Sequence, residues 1–289
     1  MLKAIRNRLG GGKISKYIKK ILTKLLNVEN EIIPIITPTN NDDLLKDKVV
    51  LITGGTGGIG FAIAQACVKA GAKVIICGTN TSKLDKFQKI LGDNSRSLVL
   101  HLNDVETLEK SVQEALKCYP ESKIDILVNS AGVHGDWSVK ELSEKEYDKV
   151  MDVNVKGTFF LTNIVGQYMV ENKIKGHILN ISSSSALRPA FTPYQISKWA
   201  INGMTKGFAD LLLPHGIIVN GLAPGPTATE MVKDTTSDNI YYEQQPSHRY
   251  ATPEEIANLA LFMVSPMGNM IVGDTFYMTG GSGTISYHR

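Results

Sequence analysis

The stretch Val49-Val50-Leu51-Ile52, followed by Thr53-Gly54-Gly55-Thr56-Gly57-Gly58-Ile59-Gly60, constrains the fold more than any other part of this sequence. Four apolar residues in a row fit a strand buried on both faces, the rule in parallel sheets covered by helices. The glycines then make a turn, because they accept positive φ and let the backbone approach another group closely. A helical pattern from about Ile59 to Ala70 follows, closed by Gly71. A helix that starts where such a loop ends offers free N–H groups and a partial positive charge, a seat for phosphate. Strand, glycine loop and helix in this order favour a nucleotide site over a plain tight turn.

The alternation continues along the chain. Short apolar runs beginning at Val74, Leu98, Ile124, His177, Gly216 and Thr275 read as strands. Their predicted extents are 74–77, 98–100, 124–128, 177–181, 216–220 and 275–278. Helical patterns lie between them, near 81–91, 105–118, 143–172, 194–213 and 253–264. That order predicts an α/β fold, a doubly wound parallel sheet in a single domain over 46–289.

Residues 1–45 are of another kind and read as an extension. The first 28 residues carry eight Lys or Arg and no acid. Ile14, Ile18, Ile21, Leu22 and Leu25 recur at helical spacing among Lys13, Lys16, Lys19, Lys20 and Lys24. Such a basic amphipathic helix serves peripheral contact with an anionic membrane surface, or a solvated appendage, or packing on a partner subunit. Residues 29–47, with Pro34, Pro38 and a polar run from Thr39 to Asp43, read as a linker. The whole chain is +3 and residues 1–28 contribute +8, so the remainder carries −5. A mildly acidic body speaks against a nucleic-acid surface there. Cys67, Cys77 and Cys118 are scattered, without metal-ligand spacing, which predicts a reducing, cytoplasmic setting and no metal. No apolar run approaches the roughly 18 residues needed to cross a bilayer, and no secretory signal pattern opens the chain.

Chemistry concentrates in Pro193-Tyr194-Gln195-Ile196-Ser197-Lys198-Trp199. On a helix, Tyr194 and Lys198 share a face. A phenol has a reference pKa of about 10, and a neighbouring cation lowers it. A tyrosine tuned in this way exchanges protons with an alcohol or carbonyl oxygen. By itself Tyr-x-x-x-Lys is common on helix surfaces, so the pair gains meaning only beside the glycine loop.

Together these motifs resemble the short-chain dehydrogenases/reductases, in particular their 3-oxoacyl-[acyl-carrier-protein] reductase-like members. Thr53, Gly54, Gly58 and Gly60 match the Thr-Gly-x-x-x-Gly-x-Gly loop of that family. Asn129-Ser130-Ala131-Gly132 is similar to its Asn-Asn-Ala-Gly, with Ser at the second position. Asp104-Val105, Asn154, Ile181-Ser182-Ser183, Pro224-Gly225 with Thr227 and Thr229, and Met278-Thr279-Gly280-Gly281 follow in the family's order, with Thr279 where Asp is usual. The resemblance runs from about 46 to 282 and implies a Rossmann-type fold.

It also implies roles. Asn154, Ser183, Tyr194 and Lys198 would be catalytic: Tyr194 as acid/base, with a pKa depressed by Lys198, Ser183 as donor to the substrate carbonyl, and Asn154 holding a relay water. Matching the Ile-Ser-Ser motif selects Ser183, eleven residues before Tyr194, with Ser182 as the alternative. Cofactor contacts would come from Gly54, Thr56, Gly58, Ile59, Gly60, Thr79, Asn80, Asp104, Val105, Asn129, Ala131, Gly132, Tyr194, Lys198, Pro224, Gly225, Thr227 and Thr229. The second strand ends in Cys77-Gly78-Thr79-Asn80 without a carboxylate. An acid there would bind the ribose 2′-OH of NAD. Its absence, with Thr79, Asn80 and Lys83 able to donate to a phosphate, favours NADP over NAD. The implied activity is hydride exchange between a nicotinamide cofactor and a ketone or secondary alcohol. A 3-oxoacyl thioester, a sugar derivative or a small carbonyl compound would fit, in a homodimer or homotetramer joined through helices near 155–172 and 194–213. His134, Trp137, Tyr241, Tyr242, His248 and Arg249 would lie about the substrate mouth. The rival reading is a catalytically idle nucleotide-binding protein that interacts through its basic N-terminus.

Overall fold

The computed structural model describes residues 43–135, 142–229 and 240–285, all within the compact unit Thr37–Arg289. The basic stretch 1–28, the linker as far as residue 42, and Trp137 lie outside the described residues. Leu44 and Leu45, at the end of the segment read as linker, are buried in the core.

Seven strands form one parallel sheet. They are β1 (Val49–Thr53), β2 (Lys73–Gly78), β3 (Ser95–Val99), β4 (Ile126–Asn129), β5 (His177–Ile181), β6 (Ile218–Pro224) and β7 (Thr275–Met278). Their spatial order is β3-β2-β1-β4-β5-β6-β7. The winding reverses between β1 and β4, which opens a crevice at the carboxyl ends of those strands. Each strand of the centre is apolar on both sides because both faces are covered. Val50 and Ile52 join one core with Ile63 of α1 (Gly58–Lys69), Leu84 of α2 (Thr81–Leu91) and Ile256 of α7 (Pro253–Val264). Val49 and Leu51 join the other, with Val112 of α3 (Leu108–Leu116), Leu161 and Val165 of α5 (Thr158–Glu171), and Phe208 of α6 (Pro193–Leu212).

Three strands differ from expectation in their limits. β3 begins at Ser95, three residues before the apolar run. It pairs only with β2, so as an edge strand it has no need of continuous apolar residues. β6 runs on through Gly221 to Pro224, past residues that read as breakers; a proline is tolerated at its end. β4 starts at Ile126, after Asp125. The carboxylate of Asp125 instead accepts the Val49 N–H at 2.9 Å and pairs with Lys48 and Lys123, so it ties β4 to the start of β1.

The long helix expected over 143–172 is not uniform. α4 (Glu144–Met151) passes through a π-helical stretch, Asp152–Gly157, into α5. π-Bulges of this kind gather at functional sites, and this one carries Asn154. Among the described residues no helix is long and apolar enough to cross a membrane.

Candidate active site

A cavity of about 640 Å³ lies along the carboxyl ends of β1, β2, β4, β5 and β6. The glycine loop forms its floor. Gly54 sits at φ 63°, a conformation that favours glycine. A Cβ on Gly60 would collide with the Gly54 carbonyl, so the loop closes only with glycine there. Thr53 fastens this loop to the next wall: its hydroxyl oxygen accepts the N–H groups of Ser130 and Ala131, both at 3.1 Å. The Thr229 methyl packs over Gly58.

The residues fit a phosphate-bearing cofactor. α1 has no side-chain cap and no acid in its first turn. Phe61 is the first of its N–H donors to find a carbonyl, that of Gly57. Gly58, Ile59 and Gly60 line the cavity with the donors that precede it. By contrast α2, α6 and α7 are capped by Asn80, Thr192 and Thr252.

Most residues expected at the cofactor line this cavity: Gly54, Thr56, Gly58, Ile59, Gly60, Thr79, Ala131, Gly132, Tyr194, Lys198, Pro224, Gly225, Thr227 and Thr229. Four do not. The Asn80 side chain accepts the Lys83 N–H and caps α2, so Lys83 and Thr79 face the cavity in its place. Asp104 and Val105 start the short 3-10 turn beyond β3, and the wall there is Leu100, Leu102 and Asn103. Asn129 is buried beneath the floor and donates to Thr162 and Asn180 at 2.9 and 2.8 Å. Asn180 donates in turn to Thr205, which makes a polar ladder through the sheet from α5 to α6. Asn103 was missed because one polar residue in a loop leaves no periodic signal.

Helix α6 presents Tyr194 and Lys198 to the cavity. Its start is set by a capping box: Thr192 accepts the Gln195 N–H at 3.0 Å, Gln195 accepts the Thr192 N–H at 3.2 Å, and Pro193 occupies the first turn. The Ser183 hydroxyl stands close enough to the Tyr194 phenol to lower its pKa. Ser182, the alternative, donates instead to the Lys198 carbonyl at 3.2 Å and is occupied with the helix backbone.

The electrostatics differ from the expectation. Burial raises the Tyr194 phenol above its ordinary pKa, and the Ser183 hydroxyl opposes this only in part. Lys198 does not depress it. The Lys198 ammonium donates to the Ile181 carbonyl at 2.9 Å and lies 5.5 Å from the centre of the Tyr194 ring. Lys198 is only 6% exposed, and burial lowers its own pKa from 10.5 to about 8. Tyr194 is therefore a protonated donor at neutral pH. The Asn154 amide accepts the Val133 N–H at 2.8 Å and donates to the Val133 carbonyl at 2.9 Å and to Ser197 at 3.1 Å. With these partners its side chain braces Val133 and Ser197.

The family model described as short chain dehydrogenase matches residues 48–240. The chain belongs to the short-chain dehydrogenase/reductase family. The 3-oxoacyl-[acyl-carrier-protein] reductase of Rickettsia conorii is 35% identical over 246 residues, which cover 82% of this chain and 97% of that protein. The NAD-dependent glycerol dehydrogenase of Listeria innocua is 33% identical over 247 residues, 84% of this chain and 96% of that one. Among solved structures, a variant of actinorhodin polyketide ketoreductase with NADPH matches with a TM-score of 0.76 at 28% identity, over 82% of this chain and 98% of its own. This short-chain dehydrogenase/reductase is an NAD(P)-dependent oxidoreductase of the ketone/secondary alcohol pair. An idle nucleotide-binding protein is not favoured.

The depressed pKa of Lys198 has a measurable sign. Between pH 8 and pH 10.5 the unfolded chain holds a proton on this residue that the folded chain has lost. Stability from this group is therefore complete above pH 10.5 and is lost as pH falls through about 8. Comparing wild type with Lys198→Met by urea unfolding of the cofactor-free protein, the difference should move towards wild type by about 1–3 kcal/mol over that window. A difference that stays level with pH would mean an ordinary lysine.

Proposed function

We propose that Tyr194, Ser183 and Lys198 carry the reaction, that Asn154 braces them, and that the enzyme reduces a ketone with NADPH. The observation that carries this reading is that Ser183, Tyr194 and Lys198 line one cavity, with the Ser183 hydroxyl beside the half-buried Tyr194 phenol. A bound nicotinamide cofactor supplies the hydride. Tyr194 then gives its phenolic proton to the substrate oxygen as negative charge develops there. Ser183 donates a hydrogen bond to the same oxygen. Lys198, held by the Ile181 carbonyl, would hydrogen-bond the nicotinamide ribose and so position the cofactor beside the phenol.

The cofactor would lie with its pyrophosphate on the N–H groups of the glycine loop and α1. Ala131, Gly132, Pro224, Gly225, Thr227 and Thr229 would bound its nicotinamide half. At the adenosine end Thr56, Thr79 and Lys83 line the cavity, and no carboxylate is among its described lining residues. Lys83 is the cation lining this end, which suits a ribose phosphate. The similar proteins include both an NAD-dependent dehydrogenase and a ketoreductase with NADPH, so the choice rests on these side chains. For substrate, the relatives' names favour a 3-oxoacyl thioester or a small polyol ketone. Assembly as a homo-oligomer belongs to the same reading. Phe159 and Phe160 on α5 and Trp199 on α6 are 46%, 40% and 49% exposed, a large apolar surface for a monomer to leave wet.

Four measurements check the reading. With acetoacetyl-CoA and dihydroxyacetone as ketones, Tyr194→Phe should lose about 10²-fold in turnover and keep cofactor affinity. Ser183→Ala should lose on the order of 10-fold to 10²-fold, while Ser182→Ala stays near wild type; the reverse order would assign the role to Ser182. NADPH should bind more tightly than NADH in fluorescence titrations, and Thr79→Asp should narrow or invert that preference. A wild-type preference for NADH would overturn the cofactor choice. Light scattering should return a multiple of the 31.6 kDa chain mass.

A further inference from the structure

We propose that His134 is a positioning residue for Tyr194, holding the phenol ring in the orientation that turnover requires. The inference rests on the acid role given to Tyr194 above. The His134 and Tyr194 rings lie 4.4 Å apart between centres, at 31° between planes. This is at the short edge of the separations, about 4.5–7 Å, at which aromatic pairs attract. His134 is itself firmly held. The preceding residue, Val133, has both its N–H and its carbonyl bound by the Asn154 amide. Asn154 is buried and also bonds Ser197, whose hydroxyl donates to the Tyr194 carbonyl at 2.7 Å. The His134 ring is further oriented by its own Nδ1, 3.3 Å from the Gly135 carbonyl. A closed circuit therefore runs from the backbone of Tyr194 through Ser197, Asn154 and Val133 to His134, and returns to the side chain of Tyr194.

The circuit answers a specific need. Tyr194 stands in the first turn of α6, where the capping box fixes its backbone but leaves two side-chain torsions free. Ser183 stands beside the hydroxyl, and Lys198 stands 5.5 Å from the ring centre without bonding it. The imidazole restrains the ring itself. Misplacement of a reacting group by about 1 Å can cost on the order of 10²-fold in rate. His134 is exposed on its outer side and does not line the cavity. Its work is accordingly on the tyrosine, not on the cofactor, and needs a flat ring rather than a titrating nitrogen.

The test compares His134→Ala and His134→Phe with wild type in the full-length protein, using acetoacetyl-CoA and NADPH, with Tyr194→Phe in parallel. His134→Ala should lower kcat about tenfold, with KM and NADPH affinity unchanged within twofold. His134→Phe should restore kcat to within about twofold, because a flat ring returns. In cofactor-free protein labelled with 3-fluorotyrosine, the ¹⁹F resonance that disappears in Tyr194→Phe should shift or broaden in His134→Ala and return in His134→Phe. Wild-type kcat in His134→Ala, an unmoved Tyr194 resonance, or a loss confined to KM would overturn the proposal. A loss in both variants would also overturn it, since the imidazole nitrogens would then matter. Full activity of Tyr194→Phe would instead bring down the acid role on which the proposal stands.

Discussion

The crevice at the carboxyl ends of β1 and β4 is the constraint from which the site follows. Two neighbouring strands whose connections leave in opposite directions cannot be covered at that end by the same helix. The gap must be closed by loops, and loops carry backbone N–H groups that need partners. The Thr53 hydroxyl meets that need on one side, by accepting the N–H groups of Ser130 and Ala131. On the other side, the first turn of α1 keeps its donors for a ligand. Thr53 is thus as important as the glycines that follow it, although it was read only as one letter of a motif.

Burial decides the chemistry of the catalytic groups. Removing water penalises charge on both Tyr194 and Lys198, so the phenol pKa rises and the ammonium pKa falls to about 8. The two pKa values are thereby driven apart from neighbouring reference values of 10 and 10.5, the phenol upward and the ammonium downward. Ring and cation are close enough to attract, but the lysine proton is directed at the Ile181 carbonyl. With its pKa raised, the Tyr194 phenol of the cofactor-free site keeps its proton at neutral pH. The polar ladder Thr162–Asn129–Asn180–Thr205 runs beneath it and links α5 and α6 through two central strands. Buried amides that bond one another fix a unique register between elements that apolar packing alone would allow to slide.

The sequence by itself determined the architecture and most of the cavity. All-apolar runs identified the central strands, since burial on both faces leaves no polar position, and the glycine loop identified the phosphate seat. The order of the motifs, from Thr53 to Thr229, identified the family. Only the tertiary structure decided which polar side chains face the cavity and which face protein. Asn80, Asn129 and Asn154 all read as site residues; the structure shows Asn80 capping a helix, Asn129 donating to Thr162 and Asn180, and Asn154 bonding Val133 and Ser197, because a short polar side chain bonds whatever donor or acceptor its neighbours bring within about 3 Å. Ser182 and Ser183 both line the cavity, and the Ser182 hydroxyl donates to the Lys198 carbonyl. The π-helical turn at Asp152–Gly157 and the His134–Tyr194 contact depend on packing between segments distant in the chain. No periodicity within either segment records them, so they became visible only when the sheet brought those segments together.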